Sequence, residues 1–366
     1  VKLEIVGIGT ALPETVLDVD ASLSVARALS QSTPEQGTWL EDVMRGSGIR
    51  SRNIVLGSDL VDDLRAGTLL SGSPFLPGRG GPGGPATGER MRHYARLAAP
   101  LALEAARKAL RRSSTDPSEI TDIVTVSCTG FAAPGVDCRL VDELGLSRSV
   151  NRTHVGFMGC HGALNGMRVA RGLAAAGAGA VLVVAVELCS VHYHYDTEPG
   201  HLIANSLFAD GAAALVGRAT REPSGAPWTL AGNGGCVIPG SAGAMTWTIG
   251  DHGFAMTLGR QVPSLISSHL RPWIVSWLAG FGLHISDIRT WAVHPGGPRI
   301  LDATAEALGL PSGALDVSRA VLADHGNMSS PTILFILERL MNSGAGAPCV
   351  MLGFGPGLGI EAALWN

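Results

Sequence analysis

Three residues combine the side-chain types and settings that acyl transfer needs. Cys160 stands in Gly159-Cys-His-Gly-Ala163, directly before a helical pattern. A thiol at a helix N-terminus meets free N–H groups and the positive end of the dipole, and both favour thiolate. A free cysteine has a pKa of about 8.5, so attack at neutral pH needs that help or a nearby imidazole. The other reading of Cys160 is a buried small hydrophobe, the ordinary fate of a lone cysteine. Its flanking glycines allow a substrate to come close. His294 lies in Val293-His-Pro-Gly-Gly-Pro298, just past a strand pattern. Pro295 fixes the backbone, while Gly296 and Gly297 open space beside the ring, which suits an imidazole offered to a ligand. A satisfied core histidine is the alternative. Asn327, in Gly326-Asn-Met-Ser-Ser330, precedes another helix. It is either an N-cap or an amide that donates to a developing oxyanion.

The elements that must position these residues follow from hydrophobic patterning. Residues 1–10 alternate apolar and small side chains and read as a first strand. Residues 123–126, 180–186, 291–293 and 349–352 read as buried strands, and 92–112, 163–176, 262–278 and 331–341 as helices. The alternation predicts an α/β fold with largely buried sheets. An internal repeat organises it. Ile120-Thr-Asp-Ile-Val-Thr125 matches Ile285-Ser-Asp-Ile-Arg-Thr290, and each is followed by a strand, a Pro-Gly pair and a helix ending in Leu-Gly-Leu. Gly156-Phe-Met-Gly-Cys160 matches Gly326-Asn-Met-Ser-Ser330, and each opens a helix followed by a strand. Two similar halves are expected, 1–217 carrying the cysteine and 218–366 carrying the histidine and asparagine. Equivalent loops of a duplicated fold converge on a pseudo-twofold axis, where residues from both halves can share one site. Residues 71–88, rich in Gly, Pro and Ser, read as a mobile surface loop, either a plain insertion or a lid.

Bulk properties narrow the partners. The 366 residues are 46% hydrophobic and only 16% charged, so a large core and a subunit interface are expected. A net charge of −4 without a long basic run speaks against nucleic acid and anionic membrane. No signal peptide is evident, and no apolar run reaches the ~18 residues of a membrane span. Six cysteines without metal spacing suit a reduced, cytoplasmic setting.

Taken together, Val293-His-Pro-Gly-Gly-Pro298, Gly326-Asn-Met-Ser-Ser330, Gly353-Phe-Gly-Pro-Gly357 and Leu207-Phe-Ala-Asp-Gly-Ala-Ala213 resemble the signature segments of the chalcone-synthase-like family, the type III polyketide synthases of the thiolase superfamily. Gly48-Ile-Arg-Ser-Arg52 resembles a segment of the wider superfamily. The resemblance implies a thiolase fold, two α/β halves in αβαβα layers, and a Cys-His-Asn triad. Cys160 would take the starter acyl group from CoA. His294 would stabilise its thiolate, and His294 with Asn327 would hold the malonyl-CoA carbonyl while decarboxylation yields an enolate. That enolate would attack the acyl-Cys160 thioester, and cyclisation would give a pyrone or a phenolic, resorcinol-type product. No metal or organic cofactor is implied; acyl-CoA and malonyl-CoA are substrates, and a homodimer is expected. Phe208 matches a family gatekeeper, and Met256 stands where plant members have a second one. Cys128, Cys189 and His192 stand at positions that usually hold Thr in plant members, and Trp247 where Gly is frequent; these departures resemble bacterial members. Arg50, Arg52 and Arg299 are the candidates for pairing with CoA phosphates. Ala133 stands where plant members place a Met that reaches the partner's cavity.

The nearest rival is a priming ketoacyl-carrier-protein synthase, whose His segment continues Gln-Ala-Asn where this chain has Pro-Gly-Gly. A hydroxymethylglutaryl-CoA synthase needs a Glu base that has no evident position here. More distant readings are a non-catalytic acyl-binding protein and a redox-sensing thiol protein, the latter requiring a resolving cysteine such as Cys128.

Overall fold

The computed structural model describes residues 2–220 and 228–366. The strands are β1 (Lys2–Ala11), β2 (Thr15–Asp18), β3 (Ser51–Ile54), β4 (Ile120–Ser127), β5 (Asn151–Gly156), β6 (Ala180–Leu188), β7 (Asp210–Thr220), β8 (Thr229–Val237), β9 (Met245–Gly250), β10 (Gly253–Leu258), β11 (Thr290–Val293), β12 (Cys349–Gly355) and β13 (Gly359–Trp365). The α-helices are α1 (Val19–Ser30), α2 (Pro34–Gly46), α3 (Ser58–Ala66), α4 (Thr87–Ser113), α5 (Val136–Leu144), α6 (Gly162–Ala175), α7 (Pro199–Leu207), α8 (Val262–Ala279), α9 (Pro298–Leu308), α10 (Asp316–His325) and α11 (Thr332–Asn342).

Nine strands run in the order β11-β12-β13-β8-β1-β7-β6-β4-β5. The order displays the duplication. β4, β6, β7 and β1 on one side correspond to β11, β12, β13 and β8 on the other, and β5 extends the first half. The halves meet in the sheet where β1 and β8 pair antiparallel, at Leu3↔Leu230 and Glu4↔Thr229, with Ile5 N–H donating to Trp228 O at 3.0 Å. The expected boundary after residue 217 falls inside β7, which runs on to Thr220.

Side-chain alternation along the strands produces the layers. On β6, Val181, Val183 and Ala185 face an inner core, while Leu182, Val184 and Val186 face an outer one. On β12, Cys349 and Met351 point inward, and Val350 and Leu352 point outward. Helices α6 and α11 fill the inner core through Leu164, Met167, Ile333 and Leu337. Helices α1, α3, α4 and α5 cover the first half-sheet, and α8 and α9 the second. The result is the expected αβαβα stack. Its central helices are buried on both sides, and each begins beside a site residue.

The segment 71–88 differs from the mobile loop expected of its composition. Phe75 and Leu76 are buried in the outer core. The Tyr195 hydroxyl donates to Phe75 O at 2.6 Å, and the Thr87 N–H donates to Asp251 O at 2.8 Å. Composition signalled irregular backbone correctly, but not that two apolar side chains and a row of carbonyls would anchor it.

Candidate active site

Cys160 sits in the short turn that leads into α6, and its side chain is buried. Gly159 before it has φ +77°, and a Cβ there would fall 2.3 Å from Pro356 Cδ, so only glycine allows this entry to the helix. Burial pushes the Cys160 thiol up to about 11, and the buried carboxyl of Glu187 adds to the rise. Hydrogen bonds with the side chains of Ser329 and Asn327 pull the other way. The thiolate expected from the helix start is therefore outweighed, because desolvation penalises the charged form more than these contacts favour it.

His294 follows β11, with its N–H donating to Leu352 O at 2.8 Å. It is buried, and neither ring nitrogen has a hydrogen-bond partner. Burial, and then the neighbouring His161, pull its pKa down to about 3, so the imidazole is neutral. A buried imidazole with both nitrogens open is costly unless something is to bind there. Asn327 is oriented by its own loop. Its Oδ1 accepts the Ser329 N–H at 2.8 Å, which leaves the Nδ2 amide to donate into the site. Its backbone N–H donates to Leu207 O, and its carbonyl accepts from Ala209, each at 2.9 Å.

The three residues converge. One cavity is lined by Cys160, His294, Asn327, Phe208, Met256 and Gly296, together with Ile203 and Ala204 of α7. A second chamber is lined by Cys160, Phe208 and Met256 again, and by Cys128, Cys189, Trp247, Ser329 and Pro356. Phe208 and Met256 thus stand between two chambers that meet at Cys160, which is a gatekeeper's position. Met256 pairs across the β9–β10 hairpin with Trp247, whose Nε1 donates to Cys128 O at 2.8 Å. Burial holds the Cys128 and Cys189 thiols well above the ordinary range, so the inner chamber is lined by neutral sulfur.

Some sequence expectations land elsewhere. His192 stands behind the wall rather than in it. Its Nε2 donates to Thr129 O at 2.7 Å, its Nδ1 accepts the Phe254 N–H at 3.1 Å, and its ring stacks on Phe254 at 4.1 Å. Arg52 is buried, with Nη1 donating to Asn205 O at 2.6 Å and Phe208 O at 2.7 Å. It braces the gatekeeper loop and is out of reach of a CoA phosphate in solvent. Arg50 is exposed but ion-paired with Asp324. Arg299 is exposed on the first turn of α9, beside Ile300 of the outer chamber. Gly297 adjoins Leu207 rather than lining either chamber.

Sequence reasoning missed Met245 and Glu187. Met245 lines both chambers, and its place two residues before Trp247 on one strand was the available signal. Glu187 is the lone charge in the apolar run of β6. Fully buried, it accepts from the N–H groups of Cys128 and Thr129 and from the hydroxyls of Ser127, Thr129 and Ser330. It ties the loop after β4 to the start of α11, fastening the halves beneath Cys160. Burial raises its pKa.

Comparison with known families agrees with this geometry. Residues 2–220 match the N-terminal domain of chalcone and stilbene synthases, and residues 231–366 match the C-terminal domain. The chain belongs to the chalcone and stilbene synthase family. It is a type III polyketide synthase, a condensing acyltransferase that works on CoA thioesters. It is 35% identical over 288 residues to the alpha-pyrone synthesis polyketide synthase-like Pks18 of Mycobacterium tuberculosis, covering 76% of this chain and 73% of that one. To the 3,5-dihydroxyphenylacetyl-CoA synthase of Streptomyces toyocaensis it is 32% identical, covering 98% and 89%. Among solved structures, PKS-I from the brown alga Ectocarpus siliculosus superposes with a TM-score of 0.91 at 31% identity, covering 100% and 98%. No helix among the described residues is long and apolar enough to cross a membrane.

Proposed function

We propose that this polyketide synthase loads an acyl-CoA starter on Cys160, extends it with malonyl-CoA and releases a pyrone or resorcinol-type phenol. The observation that carries this reading is the convergence of Cys160, a His294 ring with no hydrogen-bond partner and the Asn327 side-chain amide on one cavity. The neutral imidazole of His294 accepts the thiol proton as Cys160 attacks the starter thioester. CoA leaves as its thiol, taking that proton back from His294, and the acyl group rests on the Cys160 sulfur. Malonyl-CoA then places its thioester carbonyl against His294 and Asn327. Loss of CO₂ leaves negative charge on that oxygen, where donors already in place lower the barrier. The enolate carbon attacks acyl-Cys160, forming a C–C bond and returning the thiolate.

Chain growth proceeds past Phe208 and Met256 into the chamber walled by Cys128, Cys189, Trp247 and Met245. Relatives named for alpha-pyrone and 3,5-dihydroxyphenylacetyl-CoA synthesis support a short aromatic or lactone product. Arg299 is the CoA-phosphate contact of the three arginines considered, because it is exposed beside the outer chamber. A homodimer belongs to the same reading. β5 is a sheet edge with residues 151–154 exposed, and an unpaired edge favours addition of a second copy. The six free thiols suit a reducing, cytoplasmic setting.

The test is mass spectrometry of products from purified protein given malonyl-CoA with acyl-CoA starters from acetyl to palmitoyl, beside Cys160→Ala. Extended pyrones or resorcinols that vanish in the variant support the proposal. Turnover with acyl-carrier-protein thioesters alone would transfer it to the carrier-dependent class, and no acylation of Cys160 would end it.

A further inference from the structure

Arg90 is a fully buried cation that pairs with no carboxylate among the described residues. Its guanidinium is spent on backbone carbonyls. Nε donates to Pro85 O at 2.7 Å, Nη1 to Val191 O at 2.7 Å and Tyr193 O at 3.0 Å, and Nη2 to Gly83 O at 3.2 Å. The rings of Phe75 and Tyr195 lie 5.8 and 5.7 Å from its centre. Burying a charge in this way is expensive, so the carbonyls it gathers are of interest.

They come from the strap 71–88 and from the turn that carries His192. The strap in turn clasps the β9–β10 hairpin at its tip. The Thr87 hydroxyl donates to Gly250 O and accepts the Gly253 N–H at 2.9 Å, and a His252 Nδ1 hydrogen bond with Gly84 O spans 2.9 Å. Contact is close throughout. A Cβ on Gly84 would fall 2.4 Å from the Tyr195 ring, and one on Gly253 would lie 3.1 Å from Arg90 Cδ. Beside Gly253, Phe254 is stacked on His192, so the hairpin is gripped at its tip and at the next residue along β10. That hairpin bears Met245, Trp247 and Met256, which wall the inner chamber.

We propose that Arg90, through the 71–88 strap, is a positioning residue that sets the depth of the acyl chamber and so selects starter length and number of extensions. Arg90 touches no substrate and acts on Met256 and Trp247 through the hairpin. This inference rests on the synthase reading. Lysine cannot replace it, because a point charge lacks the planar fork that reaches both segments at once.

The experiment compares wild type with Arg90→Lys and Thr87→Ala. The readouts are Tm, intact-mass acylation of Cys160 by acetyl-CoA, and product ratios across acetyl- to palmitoyl-CoA, all measured well below each Tm. The expected result is Cys160 acylation within about twofold of wild type, with the ratio of long- to short-starter products shifted at least fivefold. Thr87→Ala unfastens only the hairpin tip and keeps the test open if Arg90→Lys does not fold. Variants with a lowered Tm and an unchanged product ratio would overturn the proposal and leave Arg90 a purely structural cation. A wild type that makes no extended product would overturn the synthase reading, and this one with it.

Discussion

The backbone of Phe208 is joined to that of Asn327 in an isolated parallel β-bridge, which fixes the position of one against the other. Buried Arg52 reinforces the bridge by donating to the Phe208 carbonyl. The side chain proposed to admit the acyl chain is therefore registered against the amide proposed to activate the extender.

Asn327→Ala should separate loading from extension. Removing one preorganised donor costs roughly 10²–10³ in rate. Malonyl-CoA decarboxylation, followed as CO₂ release, should fall by about that factor, while intact mass still reports acyl-Cys160. Equal loss of both steps would place Asn327 in loading as well.

Alkylation of the free protein by iodoacetamide should follow the raised thiol. With Cys160 pushed up to about 11, its thiolate fraction grows about tenfold per pH unit through the neutral range. The rate should still be climbing at pH 9, whereas an ordinary cysteine would be levelling off. Ser329→Ala removes a contact that lowers the value, so its profile should move to higher pH.

His294, held down at about 3, stays neutral from pH 5 to 8. The kcat/KM profile for starter loading should therefore lack an acid limb near the ordinary histidine value of about 6.5. Such a limb, if it disappears in His294→Gln, would show that the imidazole titrates in the working range. The same substitution should lower decarboxylation by roughly 10²–10⁴.

Trp247→Gly should enlarge the inner chamber at a cost in stability. The change deletes an indole, its hydrogen bond to Cys128 O and its edge contacts with His192 and Phe254. Fully buried tryptophans lose about 3–5 kcal/mol on truncation, and this half-buried one should lose about 2. Urea titration checks the loss, and a shift of products toward longer starters checks the cavity.

Arg299→Ala should raise the KM for malonyl-CoA several-fold, with kcat little changed and the effect shrinking as salt rises. Arg50→Ala should do less, because Asp324 already neutralises it. Initial-rate kinetics at two ionic strengths distinguish the two.

The sequence by itself determined the family and its layered fold, and pointed to Cys160, His294 and Asn327 as residues that would share a site. Those properties live in short range: apolar alternation sets strand faces, and glycines around Cys160 and His294 mark where backbone must be bare. The repeat then told which loops would meet. Tertiary structure alone decided protonation and reach. Cys160 looked like a thiolate because a helix start is local, whereas the desolvation that raises it comes from surroundings distant in sequence. His192 and Arg52 looked like site residues by position, yet each points into packing that alignment cannot display. The strap 71–88 read as loose because Gly and Pro signal irregular backbone, while the buried Arg90 that fastens it gathers carbonyls from segments some hundred residues apart. Spacing along a chain reports which backbone is permitted; burial and hydrogen-bond partners exist only once the chain has closed on itself.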